Sequence, residues 1–273
     1  MSGSSPAGML ELATRLAAEA GEIALSYFGS AAVERKADNS VVTNADHEMQ
    51  AHILGTIARA YPDHAVRAEE TQRDPGAHAD GHEARYCWVI DPLDGTRNYV
   101  SGFPCFATSI AVLDHGWPVV GVVLEHNHRH LYAASRGGGA TFNGGAITVH
   151  EVPDGSDVLI GIPSSKDRMT VQVLRHWLGE RGMITRNLGS TALHLAMVGS
   201  GALGATFCKQ CKIWDIAAGA LIVDEAGGRC TQVDGSDRLP FDLSADPEED
   251  LPLLAAAPRT HERLMTSISD QVC

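Results

Sequence analysis

Trp88-Val89-Ile90-Asp91-Pro92-Leu93-Asp94-Gly95-Thr96-Arg97-Asn98 is the stretch around which the chain is organised. Tyr86 to Ile90 is an apolar run that reads as a buried strand, and it ends abruptly in two acids with Pro92 and Leu93 between them. Proline fixes one backbone dihedral and glycine permits a sharp turn, so the segment can aim both carboxylates and the Leu93 carbonyl at one small volume. Carboxylates that close repel each other unless a cation lies between them. Oxygen donors suit a hard cation, Mg²⁺ before others. The same residues also read as a polar turn after a core strand, with aspartate as turn-former and cap.

At 273 residues and 44% hydrophobic, the chain can bury a large core. We read a single domain over 1–273, with an α+β half (1–150) carrying the acidic turn and an α/β half (151–273) supplying substrate-side residues. The formal charge of -13 argues against nonspecific binding to nucleic acid or to an anionic membrane. An acidic protein also repels a phosphorylated substrate, so such a substrate would need local positive charge, which bound metal ions supply. No run of about 18 apolar residues predicts a membrane span. Met1 to Ala7 has no basic region before an apolar stretch, and the six cysteines are scattered, which points to reduced thiols and a cytoplasmic protein.

Leu12, Leu16, Ile23 and Tyr27 predict a helix from about Met9 to Phe28, closed by Gly29. After a polar segment, Glu34 to Ser40, Thr43 reads as an N-cap with Asp46 in capping-box position, followed by a helix carrying Met49, Ile53 and Ile57. A short strand near Ala65 to Ala68 leads to Glu69-Glu70. Residues 72–85, rich in Pro, Gly, His and Asp, read as a mobile surface loop. Phe106 to Leu113 and Pro118 to Leu124 predict a hairpin around His115-Gly116 in a largely antiparallel sheet, and Leu131 to Ala134 a further strand. Gly137-Gly138-Gly139 and Asn143-Gly144-Gly145 read as turns. Strands and helices then alternate: Val158 to Ile162, a helix over Val171 to Leu178, Gly189-Ser190-Thr191-Ala192 opening a helix to about Val198, Ala205 to Phe207, an apolar helix from Trp214 to Ala226, a strand over Leu253 to Ala257 and a last helix from Pro258.

Asp91-Pro92-Leu93-Asp94-Gly95-Thr96 and Trp214-Asp215-Ile216-Ala217-Ala218-Gly219 resemble the two signatures of the inositol monophosphatase-like phosphatases, with Glu69-Glu70 upstream where that family has an acidic pair. The resemblance implies a layered αβαβα sandwich of the inositol monophosphatase and fructose-1,6-bisphosphatase type, and Mg²⁺-dependent, lithium-sensitive hydrolysis of a phosphomonoester. It implies two to three Mg²⁺ per site: one held by Glu69, Asp91 and the Leu93 carbonyl, a second by Asp91, Asp94 and Asp215, and a third, weaker one near Asp46. Thr96 with Glu69 would orient and help deprotonate the attacking water. Lys36 matches a basic residue of the family. Gly189, Ser190 and Thr191 match the segment that contacts the substrate's alcohol part. A homodimer is implied as well.

The chemistry agrees independently. Phosphomonoester hydrolysis needs a hydroxide at neutral pH, a neutralised phosphate and a stabilised leaving oxygen, and a two-metal clamp supplies all three. Backbone N–H groups at Gly95 and Thr96 could cradle the phosphate. The three-residue step from Asp91 to Asp94 differs from the Asp-x-Asp of phosphatases that form an aspartyl-phosphate, so no covalent phosphoenzyme is expected. One departure bears on substrate. The animal inositol enzymes have a glutamate seven residues before the second-signature aspartate, and here that position is Cys208, a poor acceptor for a sugar hydroxyl. Inositol 1-phosphate is the first substrate expectation. Histidinol phosphate, fructose 1,6-bisphosphate and 3′-phosphoadenosine 5′-phosphate are alternatives, and a catalytically silent metal- or phosphate-binding regulatory protein is the rival of another class. Lys212 would meet a second anionic group or point to water. Cys208 and Cys211 form a single Cys-x-x-Cys, short of the four ligands of structural zinc. His126, His128 and His130 read as solvated loop histidines.

Overall fold

A computed structural model describes residues 5–36, 40–71, 84–164, 167–179 and 182–272. Most of the loop expected over 72–85, and Ala37 to Asn39 of the polar segment, lie outside the described residues. The first half runs α1 (Pro6–Tyr27), β1 (Val33–Arg35), β2 (Val41–Thr43), α2 (Asn44–Ala60), β3 (Ala65–Ala68), a 3-10 turn (Glu69–Thr71), β4 (Tyr86–Asp94), α3 (Thr96–Val100), β5 (Ala107–Asp114), β6 (Trp117–Glu125), β7 (His130–Ser135), β8 (Gly139–Phe142) and β9 (Gly145–Ile147). The second half runs β10 (Val158–Gly161), α4 (Arg168–Gly179), β11 (Met183–Arg186), α5 (Thr191–Gly199), β12 (Ala205–Cys208), α6 (Ile213–Glu225), β13 (Arg229–Thr231), β14 (Leu253–Ala256) and α7 (Pro258–Val272).

The elements stack in five layers because each strand segregates its side chains by parity. On β4, Trp88 and Ile90 face the cluster formed with α1 and α2, whereas Cys87 and Val89 face α5 and α6. The order is therefore α1/α2, a seven-stranded sheet (β3-β4-β5-β6-β7-β8-β9), α5/α6, a five-stranded sheet (β11-β10-β12-β14-β13), and α4/α7. This is the αβαβα sandwich expected. The larger sheet is antiparallel except where β3 pairs parallel with β4.

The central helix α6 is apolar all round, as a helix between two sheets must be. It lies tight on β6 at Gly121, where a Cβ would come within 2.7 Å of the Ala218 carbonyl. The α2 capping box is present, with Thr43 as N-cap and Asp46 as its partner. The glycine runs expected as turns flank two further strands, β8 and β9, and the short strands β1, β2 and β13 also went unread in the sequence. Such strands are too short for a periodic signal, and their partners decide them.

Candidate active site

Three elements deliver the acids. At the end of β4 the register with β5 slips, from Asp91 opposite Ser109 to Asp94 opposite Ala107, so a bulge at Pro92-Leu93 turns both aspartates inward. Gly95 follows at φ +93, where a Cβ would meet the Cys105 carbonyl at 3.0 Å, and the chain enters α3. Asp215 arrives on the first turn of α6, its Oδ2 held by the Lys212 N–H at 2.7 Å. The hydroxyl of Ser109 donates to the Trp214 carbonyl at 3.0 Å and ties this turn to β5. One carboxylate oxygen each of Asp91, Asp94 and Asp215 then lies within 4.8 Å of the others.

Asp91 and Asp94 are buried and Asp215 is partly open to solvent. Burial pushes all three carboxyls above the ordinary range. The neighbouring negative charge of Glu69, Asp94 and Asp215 adds to this at Asp91, and that of Asp94 and Glu69 at Asp215. Asp94 is pushed up to about 6 by burial, against hydrogen bonds from Ser190 and the backbone N–H groups of Ala192, Gly95 and Thr191. Glu69 is pushed to about 7 by burial, opposed by Lys36 and reinforced by Glu70 and Asp46. Acids whose ionisation is opposed by burial, and at Asp91 and Asp215 also by neighbouring negative charge, form a set short of positive charge, and all-oxygen donors fit a hard divalent cation.

The remaining expected residues fall around this cluster. Thr96 Oγ1 donates to the Leu93 carbonyl at 2.9 Å and lies 3.4 Å from Asp46 Oδ1. Asp46 is buried and pushed up to about 6 by burial, while Thr43 donates to its Oδ2 from Oγ1 at 2.5 Å and from its N–H at 2.8 Å. Lys36 is in the site, but its ammonium is committed to Glu70 at 2.6 Å and Glu69 at 3.3 Å. Ser190 and the start of α5 turn toward Asp94: Ser190 Oγ at 2.6 Å and the Ala192 N–H at 2.8 Å both donate to its Oδ2. The Gly95 N–H also serves the Asp94 carboxylate. Gly189 sits at φ +70, with space for a Cβ closed by the Asn98 amide at 2.7 Å. Asn98, unread in the sequence, clamps the loop before α5 to the site through the carbonyls of Cys105 (2.6 Å) and Leu188 (2.7 Å).

Three further readings take definite form. Cys208 and Cys211 are buried free thiols, and Cys211 donates to the Leu251 carbonyl at 3.0 Å. The Lys212 ammonium pairs with Asp250 at 3.0 Å and donates to the Glu248 carbonyl. His126 is not a solvated loop residue: it is 1% exposed, packs on α1 at Gly21, and shares a hydrogen bond with Thr108 at 3.0 Å. Burial holds its imidazole neutral, down to about 3. The β6–β7 turn folds back on α1, which the spacing of the three histidines could not reveal. No helix among the described residues is long and apolar enough to cross a membrane.

The profile of the inositol monophosphatase family matches residues 6–272. Among curated proteins the chain is 40% identical to the Nus factor SuhB of Haemophilus influenzae over 227 residues, covering 81% of this chain and 83% of that one. It is 34% identical to the Nus factor SuhB of Escherichia coli K12 over 273 residues, covering 97% of each. Among solved structures, the extragenic suppressor protein SuhB of Bartonella henselae superposes with a TM-score of 0.85 at 26% identity, over 97% of this chain and 100% of that one. The IMPase of Thermotoga maritima superposes at 0.83 and 29% identity, over 97% and 98%.

Proposed function

The chain belongs to the inositol monophosphatase family, and on that premise we propose that it is a Mg²⁺-dependent phosphomonoesterase acting on a small phosphorylated metabolite, with inositol 1-phosphate the first candidate. The convergence of Asp91, Asp94 and Asp215 on one point supports this most directly. Asp91, Asp94 and Asp215, with Glu69 and the Leu93 carbonyl, would hold two such ions, which would supply phosphate neutralisation and water activation.

The chain's own residues place the water. Thr96 donates its hydroxyl hydrogen to the Leu93 carbonyl at 2.9 Å, which leaves its lone pairs to accept from the attacking water that it would orient with Glu69. Asp46, its Oδ1 3.4 Å from the Thr96 hydroxyl, helps hold that hydroxyl in place from the start of α2. Lys36 keeps Glu69 and Glu70 from repelling each other beside the phosphate. Asn98 and Gly189 hold the α5 loop where the alcohol part of the ester would lie.

Histidinol phosphate, fructose 1,6-bisphosphate and 3′-phosphoadenosine 5′-phosphate are the alternatives, since Cys208 stands where an inositol-contacting glutamate was expected and is buried beside Cys211. A second reading draws on the relatives named Nus factor: a regulatory role separate from hydrolysis. The family also supports a cytoplasmic homodimer, which sedimentation would test. Phosphate release from the four esters, with and without Mg²⁺, separates the readings. A Mg²⁺-dependent preference for one ester supports the enzyme and names its substrate. No release from any ester, with Mg²⁺ still bound, favours the regulatory protein.

A further inference from the structure

Away from the acidic cluster, the β6–β7 hairpin gathers a second donor set. Glu125 closes β6 and His130 opens β7, and the two are cross-strand partners, so their side chains share one face. His128 lies three residues beyond Glu125 in the turn. Arg129, between the two histidines, adopts φ +56 and sends its guanidinium to Glu22 on α1 at 2.8 Å. That left-handed residue lets His128 and His130 turn to the same side, their rings stacked at 5.4 Å and 24°. His130 is further oriented by the edge of Phe142 at 5.1 Å.

Glu125 Oε2 lies 3.1 Å from His128 Nδ1 and 4.0 Å from His130 Nδ1, and the three donor atoms lie within 4.8 Å of one another. With metal–ligand bonds of 2.0–2.2 Å, a tetrahedral centre sets its ligands about 3.3–3.6 Å apart, which these distances bracket. The Glu125 side chain is only 6% exposed, and its oxygens are positioned by the N–H groups of Asn127 (3.0 Å) and His128 (2.9 Å). The two imidazoles are open to solvent, at 66% and 41%, which supplies an entry path.

We propose that Glu125, His128 and His130 bind a divalent cation of the zinc class, with the fourth position left to water. Two imidazoles and one carboxylate favour Zn²⁺, Co²⁺ or Ni²⁺ over the hard ions suited to the acidic cluster. Binding through Nδ1 puts the hydrogen of neutral His128 on its solvent-facing Nε2, so that Nδ1 and Glu125 Oε2 share the metal in place of that hydrogen.

The test is a Zn²⁺ titration of the tag-free full chain by calorimetry, in saturating Mg²⁺, with Co²⁺ absorption spectra reporting coordination geometry. Two variants are compared: His128→Ala/His130→Ala, at one exposed and one half-buried position, and Asp215→Asn, which damages only the acidic cluster. Loss of an outer-shell partner weakens a metal site about 10–100-fold, so loss of two ligands should exceed that and remove one equivalent of Zn²⁺. Asp215→Asn should keep that equivalent and its Co²⁺ spectrum. Equal stoichiometry and affinity in wild type and the histidine variant, or loss of this equivalent in Asp215→Asn, overturns the assignment.

Discussion

Ser190 Oγ donates to Asp94 Oδ2 at 2.6 Å, joining residues 96 apart in the chain. The same Ser190 oxygen accepts from the Leu193 N–H at 3.2 Å as the N-cap of α5. One hydroxyl therefore both starts the helix and orients an acid of the cluster.

Ser190→Ala should separate these roles. Loss of the cap destabilises the fold by about 1 kcal/mol. Loss of the hydrogen bond to Asp94 should weaken Mg²⁺ activation by about 10–100-fold. Phosphate release measured against Mg²⁺ concentration and against ester concentration distinguishes the cases. A shift confined to the ester's KM would return Ser190 to substrate contact.

Asp94→Asn should abolish turnover while the protein remains folded, yet raise the melting temperature of the metal-free protein. The substitution removes one of three clustered acids, two of them buried, whose charges oppose one another's ionisation, so the apo state gains what the metal site loses. Differential scanning fluorimetry with and without Mg²⁺ reads both effects. Near-wild-type hydrolysis by this variant would rule out the metal assignment.

The pH dependence of stability follows from the same groups. Glu69 is raised to about 7, and Asp46 and Asp94 to about 6, so between about pH 4 and 7 the folded apo protein binds more protons than the unfolded chain. Stability from these groups falls as pH rises through that window, and the cost is complete above about 7. His126, lowered to about 3, and His194 and His261, lowered to about 4, act in the opposite sense and destabilise the fold as pH drops below about 6.5. The histidine contribution cancels when apo and Mg²⁺-loaded protein are compared. The stabilisation by Mg²⁺ should therefore grow from about pH 5 to about 7, and a flat profile across that window from paired melting curves would contradict this origin.

Lys36→Met should leave Glu69 and Glu70 facing each other unpaired. The Lys36 side chain is only 9% exposed, so breaking the pair should cost about 3 kcal/mol in denaturant unfolding without metal. Excess Mg²⁺ should recover part of that loss, because Glu69 then meets a cation again. A variant as stable as wild type in both conditions would show that the pairing carries no energetic weight.

Local chemistry wrote much of this protein plainly into its sequence. The apolar run into Asp91-Pro92-Leu93-Asp94-Gly95 specifies a strand and a turn from dihedral preferences, while its extension to Asp94 through a bulge was decided by pairing with β5; Thr43 with Asp46 specifies a helix start from unsatisfied N–H groups. Parity of apolar residues along β4, β5 and β6 dictates a sheet covered on both faces. The tertiary structure decided what depends on distant partners. Lys36 became a counter-ion to Glu69 and Glu70, Ser190 a support for Asp94, and Asn98 a clamp on Leu188, because folding brings together groups with no fixed spacing in the chain. His126 was buried, while His128 and His130 stayed at the surface, because α1 covers only one side of their turn. A residue's neighbours along the chain set its backbone, but its charge state and its partners are set by what packs against it.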